Sequence, residues 1–164
     1  MSHIRLATIT DLESITEIYN QAIWARFETA DTVEFAANDR LDWFQNHSQN
    51  NYPIFVYKEN GKVLGWLSIS PYRSGRQALK YTAEVSCYIH TNIQHQGIGS
   101  KLLEYVLKEG KSFGFKTFFA IVLDKNTASA NILKKFGFEE WGHLPNVADF
   151  DGEECGHLYF GRRI

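Results

Sequence analysis

Hydrophobic residues in the first quarter of the chain recur at helical spacing after a short alternating segment. Residues 3–7 are predicted to form a strand, and residues 10–13 form a helix-start pattern that precedes an apolar stripe. The stripe consists of Leu12, Ile15, Ile18, Tyr19, Ala22 and Ile23. A second helix is predicted around Leu41 and Phe44, with Asn38 as its N-cap. The pattern therefore predicts one strand followed by two helices.

The middle of the chain shows the two-residue period of β-strands. Residues 54–58 and 63–70 flank Asn60 and Gly61, which supply the positive φ angles that a tight hairpin turn requires. Residues 80–90 then alternate between apolar and polar positions. The apolar positions are Tyr81, Ala83, Val85, Cys87 and Ile89, and the polar ones are Thr82, Glu84, Ser86 and Tyr88. A hairpin and a third strand with one polar face are predicted.

The second half of the chain alternates between helical and strand patterns. An amphipathic helix is predicted from residue 99 to about 114, and a shorter one over residues 127–136. Between them, the continuous apolar run 118–123 is typical of a strand buried on both faces. Further strands are predicted near 139–144 and 156–161. Since no linker or repeat interrupts the sequence, we expect one α/β domain.

Composition and charge exclude several classes of protein. The 164 residues include 17 basic and 19 acidic side chains, a net charge of −2, which disfavours a nucleic-acid binder. The longest apolar runs are about six residues, far below the roughly 20 of a membrane-spanning helix, and no export signal is recognised at the N-terminus. We expect a cytoplasmic protein. Cys87 and Cys155 are expected to be free thiols, and the histidine spacing predicts no metal site.

The most informative segment is a glycine-containing loop between a predicted strand and a predicted helix. Gly97 and Gly99 let backbone N–H groups approach an anion closely, and the following helix N-terminus favours negative charge. Two glycines alone are equally compatible with a simple strand-to-helix turn. The G-x-G-x-x-G dinucleotide pattern is absent because Leu102 replaces its third glycine, and no G-x-x-x-x-G-K-[ST] segment is present. A pyrophosphate other than that of NAD or a nucleoside triphosphate suits the loop.

The segment from Gln94 to Gly99 resembles the Q/R-x-x-G-x-G/A acetyl-CoA loop of the GNAT N-acetyltransferases. The resemblance covers nearly the whole chain and is greatest to the phosphinothricin acetyltransferase-like and L-amino acid N-acyltransferase subfamily. Four segments carry it: IYNQAI, TAEVSCYIH, QHQGIGSKLL and NTASANILKKFGFEEWGHLPNVADFDG. It implies a single domain over residues 1–164 with a mixed, mostly antiparallel sheet, which is splayed at the acetyl-CoA strand and flanked by helices. It also implies acetyl-CoA as co-substrate and no metal.

The resemblance assigns a set of cofactor-binding residues. The pantetheine arm is expected along the backbone of Cys87, Tyr88 and Ile89. The pyrophosphate is expected on Gln94, His95, Gln96, Gly97, Ile98, Gly99 and Ser100. Asn126 and Ser129 match the family's N-x-x-S element, although Asn126 is equally suited to capping a helix.

Glu84 is the candidate general base. An amine must be neutral to attack a thioester, and the alternation places Glu84 on the polar face of its strand. It also matches the glutamate of the family's T-A-E element. Leu133 stands where relatives carry a tyrosine or histidine that acts as the general acid. The candidates for this acid in the present sequence are Tyr88, His90 and water. Cys87 is expected to be a small buried hydrophobe, which favours direct transfer over an acetyl-cysteine intermediate.

The acceptor amine is expected to be small and anionic. Arg73 and Arg76 lie in the loop before the Glu84 strand, where either could clamp a carboxylate or remain solvated. The resemblance favours Arg76 and suggests that Tyr81 and Phe27 line the acceptor pocket, although Phe27 is equally suited to core packing. Residues 150–154 replace a tryptophan-rich segment of the family, so the resemblance assigns no residues to one wall of the pocket.

These observations predict transfer of the acetyl group from acetyl-CoA to the α-amine of an amino-acid-like substrate, of the phosphinothricin or methionine sulfoximine/sulfone type. Alternatives are a GNAT enzyme for another amine, such as a protein N-terminus, a polyamine or an aminoglycoside, or a non-catalytic acyl-CoA sensor. The basic loop disfavours a polyamine or aminoglycoside. The resemblance also suggests a homodimer, with Trp141 and Phe150 as candidate contact residues, and a role in antibiotic or herbicide resistance.

Overall fold

The fold is a seven-stranded sheet with helices on both faces, seen in a computed structural model that describes residues 1–47 and 51–164. The strands are β1 (Ser2–Leu6), β2 (Ile54–Glu59), β3 (Lys62–Pro71), β4 (Thr82–Ile89), β5 (Thr117–Leu123), β6 (Glu139–Phe150) and β7 (Glu153–Arg163). The helices are α1 (Leu12–Ala25), α2 (Leu41–Gln45), α3 (Ile98–Glu109) and α4 (Thr127–Lys135). The expected α/β architecture is confirmed.

The sheet is antiparallel except at one pair. Its order is β1-β2-β3-β4-β5-β7-β6, and only β4 and β5 run parallel. That parallel pairing covers only Thr82–Glu84 against Thr117–Phe119. β4 remains paired with β3 as far as Ile89, and β5 remains paired with β7 as far as Leu123. The second halves of β4 and β5 therefore separate, which opens a gap in the middle of the sheet.

Two hydrophobic clusters cover the two faces of the sheet. Because side chains alternate along β2, Phe55 joins the cluster under α3, whereas Val56 joins the cluster under α1. Trp66 of β3 is fully buried under α1, and Leu102 of α3 is fully buried against the opposite face of the sheet. The sheet is thus sandwiched, and the β4–β5 gap connects its two covered faces. No helix within residues 1–47 and 51–164 is long and apolar enough to span a membrane.

Several predicted boundaries differ from the structure. Asn38 lies inside a 3-10 turn, Ala37–Arg40, so its prediction as the N-cap is wrong. α3 ends at Glu109, earlier than Gly114, near which it was predicted to end. The last two strands extend well beyond the predicted ranges 139–144 and 156–161 and meet in a tight turn at Asp151 and Gly152, both with positive φ. Register shifts between Glu140 and Gly142 and between Leu144 and Ala148, the second of which spans Pro145, obscure the alternation of β6.

Gly110 is the position where an added methyl group is expected to cost most stability. Its Cβ would lie 2.6 Å from the ring of Phe118 and 2.8 Å from Ile164. Phe118 is fully buried and has no space to move. Alanine favours a helical backbone by about 1 kcal/mol over glycine, but overpacking costs about 1–3 kcal/mol. Gly110→Ala should lower the denaturation midpoint, whereas Gly142→Ala, whose Cβ meets only Tyr159 at 3.9 Å, should not. Equal midpoints would contradict this packing.

Candidate active site

The backbone of the glycine loop is left-handed directly before the start of α3. Gly97 is the N-cap of α3 with φ of 79°, and His95 also has a positive φ of 65°. A Cβ at Gly97 would meet no atom within 4 Å, so this position faces open space. The first N–H groups of a helix have no intrahelical acceptor, and alternating left-handed residues turn further N–H groups to one side. The loop therefore has the geometry of an anion-binding site.

A cleft leads from this loop along the separated end of β4. Its walls are formed by Glu28, Cys87, Tyr88, Ile89, Gln94, His95, Gly97, Ile98, Gly99, Ser100, Asn126, Ala128, Ser129 and Ile132. Of the predicted cofactor-binding residues, Gln96 is the one that these walls do not include. The structure therefore brings together the glycine loop and the strand predicted to pair with the pantetheine arm.

The cleft continues through the gap between β4 and β5. Its inner part is lined from one strand by residues 85–89 and from the other by Ala120, Ile121 and Val122. Leu133 of α4 closes it from the α3 side. Since Ser86 and Tyr88 belong to the opposite face of β4 from Val85 and Cys87, the cleft reaches both faces of the sheet. An extended ligand entering at the loop can thus reach the polar face.

Glu84 lies where the gap begins. It is the last β4 residue paired with β5, opposite Phe119, and it pairs with Ser70 of β3 on its other side. It is partly buried, and this burial raises the pKa of its carboxyl group. Glu84 itself does not line the cleft, but Ser86, two residues further along the same face, does. His47 adds a polar group nearby, with Nε2 3.2 Å from Ser70 Oγ.

Comparison with known proteins decides the family. The Acetyltransferase (GNAT) family matches residues 14–138. The chain belongs to the GNAT family.

GNAT relatives resemble the chain over almost its full length. A Bacillus subtilis protein, YwnH, provisionally named a phosphinothricin acetyltransferase, is 37% identical over 162 residues, 98% of each chain. The L-methionine sulfoximine/L-methionine sulfone acetyltransferase of Salmonella typhimurium is 33% identical and covers 88% of this chain and 84% of its own. A Sinorhizobium meliloti GNAT phosphinothricin acetyltransferase, solved with acetyl-CoA, superposes with a TM-score of 0.92 at 26% identity, covering 99% and 88%. The expected GNAT fold and acetyltransferase class are confirmed.

Cys87 differs from its prediction in this GNAT cleft. Alternation places it on the α3 side of β4 as expected, but it is exposed and not buried. The reason is the gap itself, since β5 has already separated from β4 at this point. The protein around the cleft still excludes enough water to raise the pKa of the Cys87 thiol to about 12, so the thiol stays protonated.

Asn126 has a structural role that the sequence left open. Its side-chain Oδ1 accepts a hydrogen bond of 3.2 Å from the Ser129 N–H, which caps α4. Both residues also line the cleft. The capping geometry holds them there without excluding a contact to the cofactor.

The predicted acceptor residues lie outside the described cleft walls. Arg73 and Arg76 are exposed in the loop before β4. Tyr81 is exposed near the start of β4, with the ammonium of Lys116 4.7 Å from its ring centre. Phe27 packs edge-on against Phe150 at 4.8 Å, which supports its packing interpretation. Since Phe150 is buried in this chain, its prediction as a subunit contact is wrong.

Two features of the site escaped the sequence analysis. Glu28 lines both parts of the cleft, and burial raises the pKa of its carboxyl group. It is turned inward by positive φ angles at Arg26 and Phe27, which no sequence pattern signals.

The second feature is an aromatic group beside Glu84. Phe119 stacks on Tyr72 at 4.8 Å and meets Trp141 and Tyr159 edge-on at 5.7 and 5.8 Å.

Proposed function

We propose that this GNAT protein transfers the acetyl group of acetyl-CoA directly to the α-amine of a small amino-acid-like substrate, with Glu84 as general base. Phosphinothricin and methionine sulfoximine or sulfone are the proposed acceptors. The observation that carries the proposal is the cleft through the sheet, which joins the loop at Gly97 to the face that bears Glu84. The names of the relatives support the acceptor class.

In the proposed complex, the loop and the splayed strand hold the cofactor. The backbone N–H groups of residues 94–100 bind the pyrophosphate, where the α3 N-terminus favours its charge. The backbone of residues 87–89 pairs with the pantetheine arm, and Asn126 and Ser129 contact it from α4. This arrangement directs the thioester into the β4–β5 gap.

The acceptor nitrogen then attacks from the polar face of the sheet. A free amine with a pKa of about 8 to 10 is mostly protonated at neutral pH, so a base is required. Glu84 takes a proton from the ammonium group, which frees the nitrogen lone pair to attack the thioester carbonyl. Collapse of the tetrahedral intermediate expels CoA thiolate, and the nitrogen releases its second proton to solvent. The raised pKa of Glu84 makes it a stronger base than an exposed carboxylate. The protonated Cys87 thiol disfavours a covalent route.

The acceptor's acidic group is proposed to bind the basic loop. Arg76 is the preferred clamp, with Arg73 beside it, and Tyr81 and Phe27 are the proposed neighbours of the acceptor. A bidentate arginine contact to a carboxylate contributes about 1.5–3 kcal/mol. Arg76→Ala should therefore raise KM for the acceptor about 10- to 100-fold and leave KM for acetyl-CoA unchanged. Lys108→Ala on α3 is the control, and an unaltered acceptor KM would remove Arg76 from the site.

The acceptor class is tested by release of CoA thiol from acetyl-CoA with a panel of amines. The panel contains phosphinothricin, methionine sulfoximine, methionine sulfone, common amino acids, spermidine and an N-terminal peptide. Turnover restricted to the amino-acid analogues is the expected result. Preferential turnover of spermidine or the peptide would contradict the proposed amino-acid-like acceptor. No thiol release with any amine of the panel, together with intact acetyl-CoA binding, would favour a non-catalytic acyl-CoA sensor.

We also propose that residues 1–164 fold as one domain and that two chains form a homodimer. β6 is an edge strand and exposes Trp141, Leu144 and Val147, an apolar set suited to a second copy. Light scattering should give twice the mass of one chain, and unfolding should occur in one transition. A monomer at micromolar concentration would refute the dimer.

A further inference from the structure

Gln21 connects α1 to the chain segment that leads into the glycine loop. Its side-chain Oε1 accepts a hydrogen bond of 3.0 Å from the Thr91 N–H and one of 3.3 Å from the Thr91 hydroxyl, although the two residues are 70 positions apart. Gln21 belongs to the segment IYNQAI, one of the four that resemble GNAT enzymes, and the proposed mechanism gives this segment no role. The contact therefore joins two distant segments for a reason that the chemistry described so far does not supply.

His90 lies beside the same contact and is itself held in place. Its backbone N–H donates to the Leu64 carbonyl at 2.9 Å, and its Nδ1 accepts a hydrogen bond of 3.3 Å from the Asn92 N–H. The Nε2 atom of His90 lies 3.2 Å from Gln21 Nε2. A neutral imidazole that accepts at Nδ1 carries its proton on Nε2. An oxygen atom of residue 21 would therefore suit His90 as well as Thr91.

The glycine loop is fixed at its two ends and free between them. The anchored segment is the 3-10 turn Thr91–Ile93, which ends directly before Gln94. At the other end, Ile98 begins α3 and is buried. Between these ends, the N–H groups of residues 95–97 donate no hydrogen bond to another backbone group within residues 1–47 and 51–164. Their direction therefore depends on how the two ends of the loop are held.

We propose that Gln21 is a positioning residue for the cofactor: by holding Thr91, it orients the N–H groups of the glycine loop toward the pyrophosphate of acetyl-CoA. This inference rests on the proposed function. An anion site binds tightly when its donors already point at the ligand, because binding then has no further groups to order. Neither Gln21 nor Thr91 lines the cleft, so Gln21 acts from behind the loop without touching the cofactor.

The test compares the calorimetric affinity for acetyl-CoA of two variants with side chains of similar length. Gln21→Met removes the acceptor and should weaken binding about 10-fold through the lost hydrogen bonds, with kcat at saturating acetyl-CoA unchanged. Gln21→Glu keeps an acceptor for Thr91 and offers a second oxygen to His90 Nε2. It should bind within about 3-fold of the wild type at about 0.15 M salt, where charges are screened beyond about 8 Å.

S-Acetylpantetheine separates a role in the loop from general damage to α1, because it carries the same thioester and no pyrophosphate. Its kcat/KM should be equal in the wild type and Gln21→Met. Asn20→Leu is the matched control, since it removes two hydrogen bonds between α1 and the Phe35 backbone, of 2.8 and 2.9 Å. This variant should lower the denaturation midpoint and leave the affinity for acetyl-CoA unchanged.

Three results would overturn the positioning role of Gln21. They are equal acetyl-CoA affinity in the wild type and Gln21→Met, equal losses in Gln21→Met and Gln21→Glu, and a loss with S-acetylpantetheine as large as that with acetyl-CoA. Failure of the proposed function gives a different result. A wild-type protein that uses acetyl-CoA no better than S-acetylpantetheine would refute pyrophosphate binding by the loop itself.

Discussion

Glu84→Gln is expected to lower kcat about 10³-fold and to leave the affinity for acetyl-CoA unchanged. Glutamine keeps the size of the side chain but accepts no proton from the attacking amine, and general-base catalysis contributes about 10²–10⁴-fold. Acetyl-CoA affinity should persist because Glu84 lies outside the glycine loop and the cleft walls. Steady-state kinetics with methionine sulfone and calorimetry with acetyl-CoA measure the two effects. Glu104→Gln, on the exposed side of α3, is the control.

The pH profile gives a second readout of the same residue. Burial raises the pKa of Glu84 above that of an exposed glutamate, about 4.3. Because the base must be ionised, kcat/KM should rise with pH through this raised pKa. The residual activity of Glu84→Gln should lack that acidic limb. Wild-type turnover in Glu84→Gln, or loss of turnover in Glu28→Gln alone, would move the base to another residue.

Gly97→Val is expected to weaken acetyl-CoA binding about 100-fold. At φ of 79° a β-branched residue is strained by about 1–3 kcal/mol, and its side chain enters the space that the anion requires. The loop is therefore expected to shift or to exclude the pyrophosphate, whereas kcat at saturating acetyl-CoA should change little. Equilibrium binding of acetyl-CoA is the measurement.

Gly61→Val is a matched control for this substitution. Gly61, in the β2–β3 turn, has φ of 80° and open space at its Cβ position, so it suffers the same backbone strain. It should lose similar stability and retain normal acetyl-CoA affinity. Equal affinity losses in both variants would attribute the effect to global strain, and no loss in Gly97→Val would remove the loop from the binding site.

The sequence predicted those parts of the fold that depend on local periodicity. The alternation over β4 and the helical spacing of α1 reflect side chains that face one core, so each pattern can be interpreted without knowledge of its neighbours. The glycine loop was also identifiable from local sequence, because Gly97 adopts a positive φ angle that other residues rarely tolerate. The resemblance to GNAT enzymes then supplied the order of the elements.

What the sequence missed depends on contacts between distant segments. The burial of Cys87 was wrongly predicted because it depends on where β5 stops pairing with β4, which the alternation of β4 alone cannot reveal. Glu28 enters the cleft through two left-handed residues that are held by the distant β6–β7 turn, where Arg26 Nη2 donates to the Phe150 carbonyl at 2.6 Å. The burial of Arg40 was also missed, because it depends on contacts of its guanidinium with the rings of Tyr19 and Trp43, at 4.2 and 4.0 Å.

The most direct test of direct acetyl transfer is to quantify thiol and acetylated products together by mass spectrometry. The wild-type protein is incubated with acetyl-CoA and methionine sulfone, and each CoA thiol released is matched to a product. We expect one N-acetyl amine, acetylated at the α-nitrogen, per thiol, and no acetylated protein. Thiol release that is independent of the amine, or an acetyl group on Cys87 that is passed on to the acceptor, would contradict direct transfer.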